Sequence, residues 1–152
     1  TLQRNVEIRL HHTSRSMTIQ EDVTTMTPES IGIASGANGA MVFQVILSDM
    51  APNTTGNRTV DHHGSIKLCH TAIDLAATML VPSGNLVMKV LEGEAYKDLL
   101  ERAGTYFEFA RGFKPKASRA ISTEMFVVCM DRYEEVPPPI VTFKSPPTSG
   151  WG

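Results

Sequence analysis

The chain has 152 residues and a mass of 16.6 kDa, and 41% of it is apolar, which suits one soluble domain with a buried core and leaves little room for a second. A net charge of -2 and a pI near 6.2 exclude a uniformly basic nucleic-acid binder, so any RNA affinity must come from a local patch. No stretch approaches the roughly eighteen apolar residues that span a bilayer, and the opening TLQRNVEIRL lacks a hydrophobic signal region, so an intracellular protein with no membrane association is expected.

In chain order, residues 5–10 (NVEIRL) can form a strand, and residues 17–22 (MTIQED) read as a short strand ending in acid. Residues 32–40 (GIASGANGA) read as a small-residue loop. Residues 42–47 (VFQVIL) are a continuous apolar run of buried-strand type. Ile66, Cys69, Ile73, Ala76 and Leu80 recur at helical spacing, with Asp61 expected as the N-cap and Pro82-Ser83-Gly84 as the stop. Residues 85–91 then read as a strand, 95–103 as a short helix, and 106–113 and 125–130 as the last two strands. This alternation predicts an α/β domain with a largely parallel sheet over residues 1–133. Residues 134–152 are proline-rich and are expected to form an extended tail. Cys69 and Cys129 each sit in an apolar run, as free buried thiols do.

Three ionisable residues stand at strand ends or inside strands. Asp49 closes an apolar strand, Lys89 interrupts LVMKVL, and Glu124 introduces MFVVCM. Ligands bind outside the carboxyl ends of strands in open parallel sheets, so Asp49 is placed where a site would be. Lys89, flanked by Val87, Met88, Val90 and Leu91, is costly to desolvate unless a carboxylate partners it. Taken singly, Asp49 can equally be a strand-end cap, Lys89 a snorkelling side chain and Glu124 a solvated edge charge. Arg111, Lys114, Lys116 and Arg119 form a basic run with no intervening acid, either an RNA-phosphate contact or a solvated turn. The adjacent pairs His11-His12 and His62-His63 point apart on any regular element, so no metal site is expected.

Local sequence ties these residues together. Ser48-Asp49-Met50-Ala51-Pro52-Asn53 with Gly56, Pro82-Ser83-Gly84-Asn85-Leu86-Val87-Met88-Lys89-Val90, and Lys114-Pro115-Lys116-Ala117-Ser118-Arg119 with Ser122-Thr123-Glu124 resemble, in order, three motifs of the FtsJ/RrmJ family of ribosomal RNA large-subunit 2'-O-methyltransferases. The resemblance spans roughly residues 17–132 and implies a Rossmann-like methyltransferase fold that uses S-adenosylmethionine. Through it, Asp49, Lys89 and Glu124 match the last three members of a catalytic K-D-K-E tetrad. Asp22 matches an adenine-contacting acid, its alternative being a plain strand-ending acid; Asp49, Met50 and Pro52 fall on the cofactor side, and Asn53 falls with the basic run on the RNA side.

The family's first tetrad lysine and its glycine-rich cofactor loop have no counterpart in these residues, and Arg9, Leu10 or His11 stands where a ribose-binding acid is expected. The fold is therefore expected to be incomplete at its N-terminus, most simply as the C-terminal part of a longer enzyme. The partner implied is ribosomal RNA or the pre-ribosomal large subunit. The spelling of the Asp49 loop and the following Asp61-His62 suggests a mitochondrial type, the alternatives being cytoplasmic or nucleolar. A non-catalytic RNA-binding or ribosome-assembly protein on the same fold is the second functional expectation.

Overall fold

The computed structural model describes residues 5–10, 15–36, 39–40, 42–116 and 123–138. Strands β1 (Asn5–Leu10) and β2 (Arg15–Gln20) pair antiparallel as a separate two-stranded sheet. Helix α1 (Pro28–Ser35), strand β3 (Phe43–Ser48), helix α2 (Arg58–Met79), strand β4 (Leu80–Leu91), helix α3 (Tyr96–Gly104), strand β5 (Phe107–Phe113) and strand β6 (Glu124–Arg132) follow.

The main sheet has the order β3-β4-β6-β5. It is α/β, as expected, but mixed: β3 and β4 are parallel, whereas β6 runs antiparallel to both β4 and β5. The expectation of a largely parallel sheet therefore fails. A parallel pair requires a crossover, which α2 supplies between β3 and β4. β6 instead lies antiparallel beside β4, and strand composition carries no mark of direction.

Three local expectations are also corrected. Residues 28–35, half assigned to a loop, are helical. Thr27 caps α1 through a reciprocal pair in which Ser30 N–H donates to Thr27 Oγ1 and Thr27 N–H to Ser30 Oγ, both at 3.0 Å. Pro28 is preorganised for the first turn, and Gly36, at φ 73°, closes the last. The N-cap of α2 is Asn57, not Asp61: Asn57 Oδ1 accepts from Thr59 N–H at 3.0 Å and Val60 N–H at 3.1 Å. Pro82-Ser83-Gly84 does not separate helix from strand but forms a bulge within β4. Pairing advances from Phe43↔Leu80 to Val45↔Asn85, two residues on one strand against five on the other. Ser83 takes a positive φ of 64°, and a Cβ on Gly84 would meet Val81 O at 2.8 Å, so the bulge needs glycine there.

The core lies on one face of this sheet. Leu86, Met88 and Val90 on β4, and Val127 and Cys129 on β6, are fully buried beneath Ile66, Cys69, Ala72, Ile73 and Ala76 of α2 and Leu99 and Ala103 of α3. A second cluster of Ile19, Val23, Met26, Ile31 and Met79 anchors the β2–α1 region to Phe43 and Ile46 of β3. Both cysteines are free and buried, as expected, and burial pushes each thiol up to about 12. The first tail residues are anchored: Val136 packs on the core, and Tyr106 OH donates to Pro138 O at 3.4 Å. Residues 139–152 lie outside the described residues. No helix among the described residues is long and apolar enough to cross a membrane.

On the outer side of α2, the buried Asp74 carboxylate accepts from Arg102 Nη2, while Arg102 Nη1 lies 2.9 Å from His70 Nδ1. Burial, reinforced by the Arg102 charge and opposed by Asp74, holds His70 below its ordinary 6.5. A depressed histidine is neutral in the fold but takes a proton in the unfolded chain, so its contribution to stability falls as pH drops through 6.5. The urea midpoint is expected to fall between about pH 7.5 and about pH 5.5, and His70→Gln is expected to flatten part of that fall. A second expectation is that Asn57→Ala destabilises the protein by about 1 kcal/mol in the same measurement.

Candidate active site

Strand alternation decides which side chains can meet. Because Leu86, Met88 and Val90 face the helices, Val87 and Lys89 leave by the opposite face. Val45 and Leu47 of β3 pair with Asn85 and Val87, and Phe126 of β6 pairs with Lys89, so all of these share that face. Glu124 lies two residues before Phe126 on the same face, diagonal to Lys89, and Asp49 directly follows β3.

The result is a cluster at the carboxyl ends of the parallel pair. Lys89 Nζ stands 2.9 Å from Asp49 Oδ1 and 3.8 Å from Glu124 Oε1. The Lys89 side chain is only 16% exposed, whereas those of Asp49 and Glu124 are 83% and 55% exposed. A shielded ammonium is thus neutralised by two carboxylates open to solvent, a polar centre at the rim of an apolar sheet. The alternative of a snorkelling Lys89 does not describe this geometry.

The remaining expected site residues divide. Met50 packs against both apolar clusters, and Pro52 lies against α2, where a Cβ on Gly64 would meet Pro52 Cβ at 2.8 Å. Both residues hold the Asp49 loop in place. Asp22 ends its strand in a turn, with Oδ1 accepting from Thr24 N–H at 2.9 Å and Thr24 Oγ1 at 2.7 Å, the geometry of its plainer alternative. Its neighbour Val23 and Met50 belong to one packed cluster, so the Asp22 and Asp49 loops share an anchor.

Asn53, Arg111, Lys114 and Lys116 are exposed, while Arg119 lies outside the described residues. Arg111 occupies the Lys89 face through its pairing with Val128. The basic run is less free of acid than its sequence implies: Lys114 Nζ is 3.1 Å from Glu92 Oε1, a partner twenty-two positions away.

Several organising residues take roles that the sequence did not assign to them. Thr55 donates from N at 2.8 Å and from Oγ1 at 2.9 Å to Asp61 Oδ1, and the backbone donor first of all holds that carboxyl below its ordinary range. Asp61 is thus a tie between α2 and the Asp49 loop. His62 is buried and bonded at both ring nitrogens. An aspartate or histidine near an expected helix start was the only signal available. Among the described residues, no group of three or more His, Cys, Asp or Glu is placed to hold a metal ion.

An α/β sheet that gathers acid, lysine and acid at the edge where β3 and β4 end and β6 begins offers a strand-edge site. The chain belongs to the FtsJ-like methyltransferase family, whose model matches residues 1–132. It is 44% identical over 86 residues to the ribosomal RNA large subunit methyltransferase E of Ehrlichia chaffeensis, covering 57% of this chain and 41% of that protein. It is 41% identical over 112 residues to the same-named protein of Nitratidesulfovibrio vulgaris, covering 74% of this chain and 54% of that one. The crystal structure of a ribosomal RNA methyltransferase from Plasmodium falciparum shares the fold, with a TM-score of 0.55 at 23% identity over 62% of this chain and 50% of that one. The chain therefore spans about half the length of the relatives it matches.

Proposed function

We propose that this chain is the catalytic-side portion of an S-adenosylmethionine-dependent enzyme that methylates a ribose 2'-hydroxyl in ribosomal RNA, free or in the pre-ribosomal large subunit. The convergence of Asp49, Lys89 and Glu124 from three strands carries the reading. Family membership and relatives named as ribosomal RNA large subunit methyltransferases support the reaction and the substrate class.

A ribose hydroxyl is a weak nucleophile and needs its oxygen oriented and its proton accepted during attack. An ammonium has three donors. Asp49, at 2.9 Å, draws on one, Glu124 at 3.8 Å adds its charge without a hydrogen bond, and a remaining donor is available to aim at the ribose oxygen. As the O–C bond forms, the hydroxyl proton would pass to a carboxylate of the cluster, Asp49 or Glu124, because an ammonium has no lone pair to accept it. S-adenosylmethionine supplies a methyl group on a cationic sulfur, which leaves as a neutral thioether.

The chemistry of the donor set suits that cofactor in part. Asp49 and Asp22, on loops that share an anchor, offer carboxylates for its amine groups and cationic centre. The glycine-rich backbone approach to the cofactor is assigned to polypeptide beyond these residues. Val45, Leu47, Phe109, Phe113 and Met130, each 45% exposed or more on the Lys89 face, form an apolar surface that such polypeptide would cover. Arg111, Lys114 and Lys116, with Asn53 beside Asp49, are assigned to RNA phosphate contact. The mitochondrial assignment rests on the spelling of residues 48–62 and is tested by imaging the tagged full-length protein.

In the full-length protein, Lys89→Ala is expected to lower ribose methylation by at least ~100-fold with little change in cofactor affinity. Wild-type turnover by that variant would overturn the role given to Lys89, and absence of methylation by the wild-type protein would favour a non-catalytic RNA-binding role. Calorimetry of the 152-residue chain with S-adenosylmethionine is expected to show weak binding or none, and tight binding would refute the assignment of the glycine-rich loop to other polypeptide.

A further inference from the structure

The parallel pairing of β4 with β3 ends at Ser48↔Met88, yet β4 continues to Leu91. Backbone groups of Lys89 and Leu91 beyond that point need other partners. They find them on one face of α2, at positions 62, 65 and 69, which helical spacing aligns. Cys69 S–H donates to Lys89 O at 3.2 Å, Ser65 Oγ accepts from Leu91 N–H at 3.1 Å, and His62 Nδ1 lies 2.8 Å from Leu91 O.

The hydrogen bonding of His62 also defines its proton. Ala95 N–H can only donate, and it reaches His62 Nε2 at 3.0 Å, so Nε2 accepts and Nδ1 carries the hydrogen given to Leu91 O. The imidazole is therefore a neutral bridge across the turn between β4 and α3. Gly93 completes the socket, because a Cβ there would stand 2.3 Å from the ring. Ser65 Oγ in turn donates to His62 O at 2.8 Å, closing the network on α2 itself. The raised thiol of Cys69 keeps its hydrogen available for Lys89 O.

We propose that His62, aided by Ser65 and Cys69, is a positioning residue that fixes the end of β4 and thereby the stance of Lys89 between Asp49 and Glu124. The same bridge sets the turn that carries Glu92, the partner of Lys114, so one buried ring holds both the reacting lysine and a basic residue at the rim. This inference rests on the methyl-transfer reading.

The test uses the full-length protein and three variants. His62→Leu removes both bonds, His62→Asn keeps a donor near the Nδ1 position, and Ser65→Ala removes only the Leu91 N–H contact. His62→Leu is expected to lower kcat about 10- to 100-fold with KM for RNA and cofactor changed less than about threefold, since a small misplacement of a reacting group costs that much. His62→Asn is expected to recover part of the loss, and Ser65→Ala to fall between His62→Asn and wild type. A group that only stabilises the fold would lower the melting temperature and leave kcat unchanged well below it, and that result would overturn the proposal. Should His62→Leu fail to fold, nitrogen NMR of the wild-type imidazole decides: an unprotonated Nε2 is expected, and a proton there would also overturn it. If wild type methylates, Lys89→Ala does not, and folded His62→Leu matches wild type, the positioning role alone fails. If wild type itself does not methylate, the underlying reaction fails instead, and if Lys89→Ala methylates normally, the role given to Lys89 fails.

Discussion

The strict alternation of β4 is the constraint on which the site depends. Leu86, Met88 and Val90 are withdrawn completely beneath α2 and α3, so their neighbours have one other face to occupy. A slip of one residue would drive Lys89 under the helices and expose three core side chains. An unpaired ammonium in that position costs roughly several kcal/mol, which holds the register that follows the bulge at Pro82-Ser83-Gly84. Core packing and placement of the reactive lysine are thus one event, and neither can shift without the other.

Helix α2 serves the site from its first turns rather than by its bulk. Asn57 starts it, Asp61 ties Thr55 and hence the loop after Asp49, and Gly64 gives Pro52 a flat place to rest. Next to them in the chain, His62 and Ser65 secure the end of β4. Two loops that meet only in the folded molecule are pinned by adjacent residues of one rigid element. Such support would serve the proposed proton transfer, whose geometry must hold within a fraction of an ångström.

The sheet is also asymmetric. Its helix-covered face is closed and dry, while the Lys89 face carries exposed Leu47, Phe113 and Met130 beside the charged cluster. Placing Lys89 and Glu124 on the open face leaves them reachable by a large substrate, and Arg111 shares that surface. The overall charge is modest, and the basic run on this side is tempered by the Glu92–Lys114 pair.

By itself the sequence determined the elements with strong periodicity and singled out Asp49, Lys89 and Glu124, which the fold brings together. Hydrophobic spacing from Ile66 to Leu80 marked α2, and the lysine inside LVMKVL announced a carboxylate partner because desolvation demands one. It did not reveal α1, whose short helix rests on a Thr27–Ser30 cap rather than on an apolar stripe, nor the bulge in β4, since a Pro-Ser-Gly string reads as a stop in any local window. Strand direction, the distance of Lys89 from its two acids, the pairing of Lys114 with Glu92 and the burial of His62 were decided only by tertiary structure. Each of these joins residues far apart in the chain. Local propensity is blind to such contacts, which exist only once β4 has chosen its face.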